Sequence, residues 1–314
     1  MQNRLFVSSS PHIRSKESVH SVMRDVLIAL LPATAYGIYI FGIKAAILVV
    51  IAIAAAVGTE AFVQGVMRKQ KITISDLSAA VTGLLLAMNI PVSAPWWLAL
   101  IGSIFAIAIV KQAFGGLGHN FMNPALAARA MLMASWPVQM TGWTAPGADA
   151  VSAATPLGMI AEGGALTELP DIFSAFVGNI GGCIGETSAL LLILGGLYML
   201  YRGVITWRIP VIYISTVFVL GFLLQGFDFY MAAYQIVVGG LMLGAFFMAT
   251  DYASSPVTVK GQYIYAFGAG LLTILIRVFG SLPEGVSYSI LLMNVATPLI
   301  EKYTAPKVFG GAKS

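Results

Sequence analysis

The run Ala45-Ala46-Ile47-Leu48-Val49-Val50-Ile51-Ala52-Ile53-Ala54-Ala55-Ala56-Val57-Gly58-Thr59-Glu60-Ala61-Phe62-Val63-Gln64-Gly65-Val66 is long and apolar enough to cross a bilayer as a helix, because about 17 helical residues already span the hydrocarbon core. Working outward from it, comparable runs fall at 25–42, 75–89, 97–112 and 123–136, then at 187–201, 209–224, 230–248, 263–279 and 287–302. Ten segments result, several near the lower length limit, so tilted, broken or re-entrant segments are expected among them. Hydrophobic residues make up 58% of the 314 and charged residues 10%, with a mean hydropathy of +0.88. That balance excludes an ordinary soluble domain and specifies an all-α, polytopic membrane protein.

Charge then orients the chain. Residues 1–24 form a polar cytoplasmic segment with no apolar core of signal-peptide type, so the first run is expected to stay as a membrane helix. With the N-terminus inside, 14 of the 17 Lys and Arg residues fall on the cytoplasmic side, two (Lys44 and Arg277) fall outside, and Arg129 lies within a segment. This is a positive-inside pattern. It places both termini, including the 304–314 tail, in the cytoplasm and turns 137–186, which lacks Lys and Arg, outward. The net charge of +4 thus has a topological cause, and no nucleic-acid partner is implied.

The chain also resembles itself at an offset of 165. Phe114-Gly115-Gly116-Leu117 returns as Phe279-Gly280-Ser281-Leu282, Pro91-Val92-Ser93 as Pro256-Val257-Thr258, and 45–66 falls on 210–231. The pattern reads as two five-helix repeats, 25–136 and 187–303. Since five is odd, the second repeat enters the membrane from the opposite side, an inverted-repeat architecture whose functional sites lie at the repeat interface.

The loop joining the halves contains Asp149-Ala150-Val151-Ser152-Ala153-Ala154-Thr155-Pro156-Leu157. The proline biases Thr155 towards extended backbone, and by itself the stretch reads equally as a loop ending in a hydroxyl cap for a short helix. Upstream, Gly115-Gly116-Leu117-Gly118 followed by Asn123-Pro124-Ala125 leads into the segment holding Arg129. A guanidinium so placed is costly unless it faces protein, water or an anion. A carboxylate partner, the polar edge of a cofactor and simple snorkelling all satisfy that requirement. Downstream, Gly181-Gly182-Cys183-Ile184-Gly185-Glu186-Thr187-Ser188 opens the second half. Its glycines suit close helix packing or the approach of a cofactor to backbone amides and to the hydroxyls of Thr187 and Ser188.

These three motifs resemble a family of membrane subunits. It comprises the D subunits of Rnf complexes and the B subunits of sodium-pumping NADH:quinone reductases, and the short N-terminal region resembles the Rnf side. The resemblance implies FMN joined covalently to Thr155 by a phosphoester bond, with Asp149, Ser152 and Ala154 in the sequence that a flavin transferase recognises. It further implies a second non-covalent flavin such as riboflavin at an unassigned place and a fold similar to urea transporters, and it favours the reading in which Glu186, Thr187 and Ser188 meet a cofactor, as the cost of its burial makes Arg129 a candidate to do. The activity implied is electron exchange between ferredoxin and NAD coupled to sodium or proton translocation. The partners implied are the other Rnf subunits (A, B, C, E and G), the transferase and membrane lipid, in a bacterial or archaeal cytoplasmic membrane.

The residues agree with an organic electron carrier. Cys183 is the one cysteine, so neither a disulfide nor an iron–sulfur cluster can be built within the chain. His12, His20 and His119 have no metal-ligand spacing, and no zinc, phosphate-loop or haem signature is present. The rival reading is an inverted-repeat transporter or channel for a small solute or ion without a redox cofactor. A third is a structural anchor for redox partners.

Overall fold

A computed structural model describes residues 17–144, 155–161, 169–280 and 284–306. Among them no β-strand forms. The chain runs as α1 Val19–Phe41, α2 Ile43–Phe62, α3 Ser78–Met88, α4 Trp96–Ile104, α5 Pro124–Ser135, α6 Pro137–Met140, α7 Pro156–Ala161 and α8 Ile172–Val177. It continues as α9 Ala189–Tyr201, α10 Arg208–Leu224, α11 Phe229–Val237, α12 Leu241–Leu243, α13 Val259–Phe279 and α14 Val286–Thr304. Wider π-type turns extend α2 to Met67, α4 to Gln112 and α12 to Met248. A helix satisfies its own backbone groups, which is the condition for crossing hydrocarbon.

Three helices, Val19–Phe41, Ile43–Met67 and Val259–Phe279, are long and apolar enough to cross a membrane alone, and Phe229–Val237 with Leu241–Met248 makes a pair bent by 62°. Four others, among them Ser78–Met88 and Ala189–Tyr201, are apolar but shorter. At about 1.5 Å per residue, 11 to 13 residues cover roughly half to two thirds of a 30 Å core. α1 starts at Val19, ahead of its apolar run, because Ser18 builds a capping box with Ser21 there. Ile47, Val50, Leu194, Leu223, Val295 and Leu299 face outward, as on a bundle whose solvent is lipid.

Two ends can be told apart by their cross-links. At one, Arg202 binds Asp25, His20 meets the Ser75 carbonyl, Arg208 binds Gln262, and Thr258 bonds Thr304. This end collects the basic residues. At the other, Trp97 packs edge-on against Trp136, Tyr234 donates to the Pro170 carbonyl, and Arg277 closes over the α11 to α12 break.

That break shows how a helix interruption is made tolerable in a membrane. Gly239 has φ +75°, which ends α11 and frees its last carbonyls. Arg277 donates to the Gln235 carbonyl at 2.6 Å, to the Gln235 side chain at 3.0 Å and to the Val238 carbonyl at 3.5 Å. The freed acceptors are thus met from a neighbouring helix. Arg277, expected as an outward-side charge, is buried because it has this task.

Elsewhere the helices touch through small residues. A Cβ on Gly83 would stand 2.7 Å from the Ala52 carbonyl oxygen, so α3 and α2 meet backbone to backbone. Gly185 does the same for the turn before α9, where a Cβ would lie 2.6 Å from Met88 Cβ. The expectation of close packing at Gly185 is met in this way. Asp228 caps α11 by accepting the Tyr230 and Met231 amides, and Asp76 accepts the amide of Ser78, the first residue of α3.

Candidate functional site

Arg129 sits where four separate stretches converge. Asn123 caps α5 by accepting from the Ala125 and Leu126 amides, and Pro124 occupies the first turn, where its missing N–H is harmless. The helix thus begins at a fixed point and carries Arg129 into the interior, 3% exposed. One guanidinium nitrogen donates to Asn89 Oδ1 at 3.1 Å and to Ser287 Oγ at 2.9 Å; the other binds the Glu284 carboxylate and lies 3.8 Å from Glu186 Oε1 and from Cys183 Sγ. Of the roles weighed from the sequence, pairing with carboxylates is the one the structure displays. A buried guanidinium held this fully is tolerated, whereas an unpaired one is not.

Glu186 reaches this cluster from a short 3-10 turn, Ile184–Glu186, ahead of α9. Its Oε2 accepts from the Cys183 amide at 3.4 Å, while its Oε1 and Glu284 Oε1 are buried without a hydrogen-bond donor among the described residues. Burial, followed by the Glu284 charge, raises the Glu186 carboxyl above the ordinary carboxylate range; Arg129 pulls the other way without offsetting it.

Thr155 adjoins the same cluster. It precedes α7, accepts the Gly158 amide at 3.1 Å and is 4% exposed. Leu157 anchors the turn among Ala175, Ile180, Tyr234 and Val238. Beside Thr155 lies a cavity of about 10 Å³ lined by Leu157, Ile180, Glu186, Gly239 and Glu284. The Thr155 oxygen thus stands beside a cavity whose charged lining residues are two carboxylates, and the cavity is too small for any part of a flavin ring. Thr187 and Ser188 lie next to Glu186, yet their hydroxyls are engaged locally: Thr187 donates to the Ile184 carbonyl and Ser188 accepts the Leu191 amide. Asp149, Ser152 and Ala154 lie outside the described residues.

A second buried ionic group lies at the end that collects the basic residues. Lys111 Nζ stands 2.8 Å from Glu60 Oε1 and 2.6 Å from Ser78 Oγ, both charged groups being almost fully buried. Gln112 and Gln64 donate to the same Glu60 oxygen at 2.8 and 3.3 Å, and the Ser78 hydroxyl donates to Asp76 Oδ1 at 2.7 Å. A cavity of about 90 Å³ opens beside it, lined by Ser78, Lys111, Asn120, Asn123, Asp251 and Tyr252 among others.

Sequence reasoning missed Glu60, Lys111 as a buried base, and Glu284. For Glu60 a signal existed: it is the one charge in the run 45–66. Lys111 ends its run like an interfacial lysine, and Glu284 sits in a short polar loop, so neither stands out.

Residues 6–310 match the NQR2, RnfD, RnfE family. The chain is 56% identical over 312 residues to the D subunit of the Na(+)-translocating ferredoxin:NAD(+) oxidoreductase complex of Acetobacterium woodii, covering 98% of this chain and 96% of that one. It is 49% identical to the proton-translocating counterpart of Clostridium ljungdahlii, covering 98% and 97%. It is 39% identical to the D subunit of the ion-translocating oxidoreductase complex of Stutzerimonas stutzeri, covering 94% and 93%.

Proposed function

This chain belongs to the NQR2, RnfD, RnfE family, and on that premise we propose that it is the D-type membrane subunit of an Rnf complex. Its work there is electron transfer between ferredoxin and NAD coupled to sodium or proton translocation, and it is not catalytically complete alone. The observation that carries this is the full-length likeness to two D subunits at 56% and 49% identity. The same likeness supports this reading over a free-standing transporter.

The finer architecture belongs to the same proposal: ten membrane segments in two inverted repeats, urea-transporter-like. Element positions support it. α10 begins 165 residues after α2 (208 after 43). Arg129 on α5 binds Asn89, and Asn294 on α14 binds the Ser254 carbonyl, each member of the second pair again 165 residues later. The gathering of basic residues at one end supports cytoplasmic termini in an inner membrane, with Thr155 at the outer end.

FMN on Thr155 is the cofactor reading. Bound there it would supply one- and two-electron chemistry, and the chain's part would be to hold its phosphoester beside Arg129, Glu186 and Glu284. Asp149, Ser152 and Ala154 would serve the transferase. The second flavin stays in the proposal without an assigned place. Co-expression with a flavin transferase, denaturation and in-gel fluorescence test the attachment. Fluorescence in the parent and none in Thr155→Val is expected; no fluorescence in either, with a control acceptor labelled, would overturn it.

A further inference from the structure

The turn that carries Thr155 is seated by apolar contacts. Leu157, itself buried, fills a niche formed by Ala175, Ile180, Tyr234 and Val238. It also lies against Gly239, where a Cβ would stand 2.6 Å from Leu157 Cδ1. Among the described residues the hydrogen bonds of 155–161 run within the turn, from the Gly158 amide to Thr155 Oγ at 3.1 Å and from the Met159 amide to the Thr155 carbonyl at 2.9 Å. No hydrogen bond or ion pair among those residues ties the turn to the bundle.

The seat suits a hydroxyl and not a phosphoester. Attachment adds a phosphorus and three further oxygens to the threonine oxygen. The adjoining cavity, about 10 Å³, admits one water-sized guest. Its wall is apolar, and the charged residues that contribute to it, Glu186 and Glu284, are carboxylates. An anionic phosphoester placed there would meet no donor and two groups of its own sign. Thr155 is buried and its oxygen is engaged by the Gly158 amide, so an incoming phosphoryl donor has no approach to it either.

We propose that 155–161 is a removable plug: the turn leaves its seat before Thr155 can be modified, and the attached phosphoester keeps it from returning. The proposal rests on the reading that Thr155 carries FMN. Attachment joins Thr155 Oγ to the flavin phosphorus and breaks the phosphoanhydride of an activated flavin nucleotide. The leaving phosphate group takes the electron pair, and the hydroxyl proton goes to water. Leaving the seat is affordable, because one leucine contact weights an equilibrium by roughly ten- to a hundred-fold. Once off it the turn unwinds, since six residues do not hold a helix alone. A phosphoester then finds room beside Arg129, Glu186 and Glu284 only in space that the plug has given up.

Hydrogen exchange and in-gel fluorescence on the full-length chain in detergent test this together. The amides of 157–161 are followed by mass spectrometry before and after labelling by a flavin transferase, and labelling rates are compared at limiting transferase. Exchange at the turn is expected to quicken roughly ten-fold or more on labelling, with α13 as the unchanged reference. Ile180→Ala trims the seat without touching the turn. It is expected to quicken both exchange in the unlabelled chain and the labelling rate by roughly ten-fold. Should it fail to fold, Leu157→Ala carries the comparison. Complete labelling with the turn as protected as before overturns the proposal, and so does a trimmed seat that is labelled no faster than the parent. Both of those results leave the flavin reading standing. No label in the parent, with a control acceptor labelled, removes the flavin reading and the proposal with it.

Discussion

Lys111→Met isolates one buried ion pair and asks what it contributes. Met keeps the length and apolar stem of lysine while removing the charge. Glu60 Oε2 then loses its 3.0 Å donor and Ser78 loses the 2.6 Å contact, but Glu60 Oε1 keeps the amides of Gln112 and Gln64. Breaking a buried pair from one side costs about 3–5 kcal/mol, because the remaining charge is left without its counter-charge. The two retained amides place this case near the lower figure. At about 2 °C per kcal/mol for a chain of this size, the thermal midpoint falls by roughly 6 °C. Glu60→Leu with Lys111→Met removes both charges and returns most of that loss, since two apolar groups of similar volume need no compensation. Midpoints for the parent, both single variants and the double variant in one detergent close the cycle. A double variant as unstable as the sum of the singles, or a Lys111→Met shift below about 1 °C, would refute the pairing.

Three further outcomes follow from other contacts. Gly185→Ala places a Cβ 2.6 Å from Met88 Cβ and 2.9 Å from the Met88 carbonyl, so it is expected to cost about 1–3 kcal/mol by overpacking, read as a lower thermal midpoint. Asn123→Ala removes both cap bonds of α5 and the 3.3 Å bond to the Met248 carbonyl, for a loss of about 2 kcal/mol that Asn123→Asp, which keeps the cap, partly avoids. The raised Glu186 carboxyl means that the folded chain keeps a proton the unfolded chain releases above about pH 4.3. Stability is therefore expected to fall as pH rises from there to the raised value, and Glu186→Gln to flatten the slope; a flat parent profile would count against the raised Glu186 carboxyl.

Much of the fold could be read because hydrocarbon imposes few solutions. An apolar run such as 45–66 must become a helix, and the uneven Lys and Arg distribution must orient it. The short runs were harder. Nothing in 230–248 distinguishes a straight span from the 62° break at Gly239, because the break is made tolerable by Arg277, more than thirty residues away. At the site, Arg129 stood out by its cost, and its carboxylate partner was among the expectations. The identity of that partner was not, since Glu284 lies 155 residues along the chain.

The sequence by itself determined the membrane class, and it carried the charge asymmetry, the 165-residue self-likeness and the threonine motif, all of which depend on composition or local order. Only the tertiary structure decided which charges neutralise one another. Glu60 found Lys111, and Glu186 and Glu284 came to share Arg129 beside Thr155. Electrostatic partners are selected by distance in space within a medium of low dielectric, and in a chain folded back on itself that distance bears no fixed relation to separation in sequence.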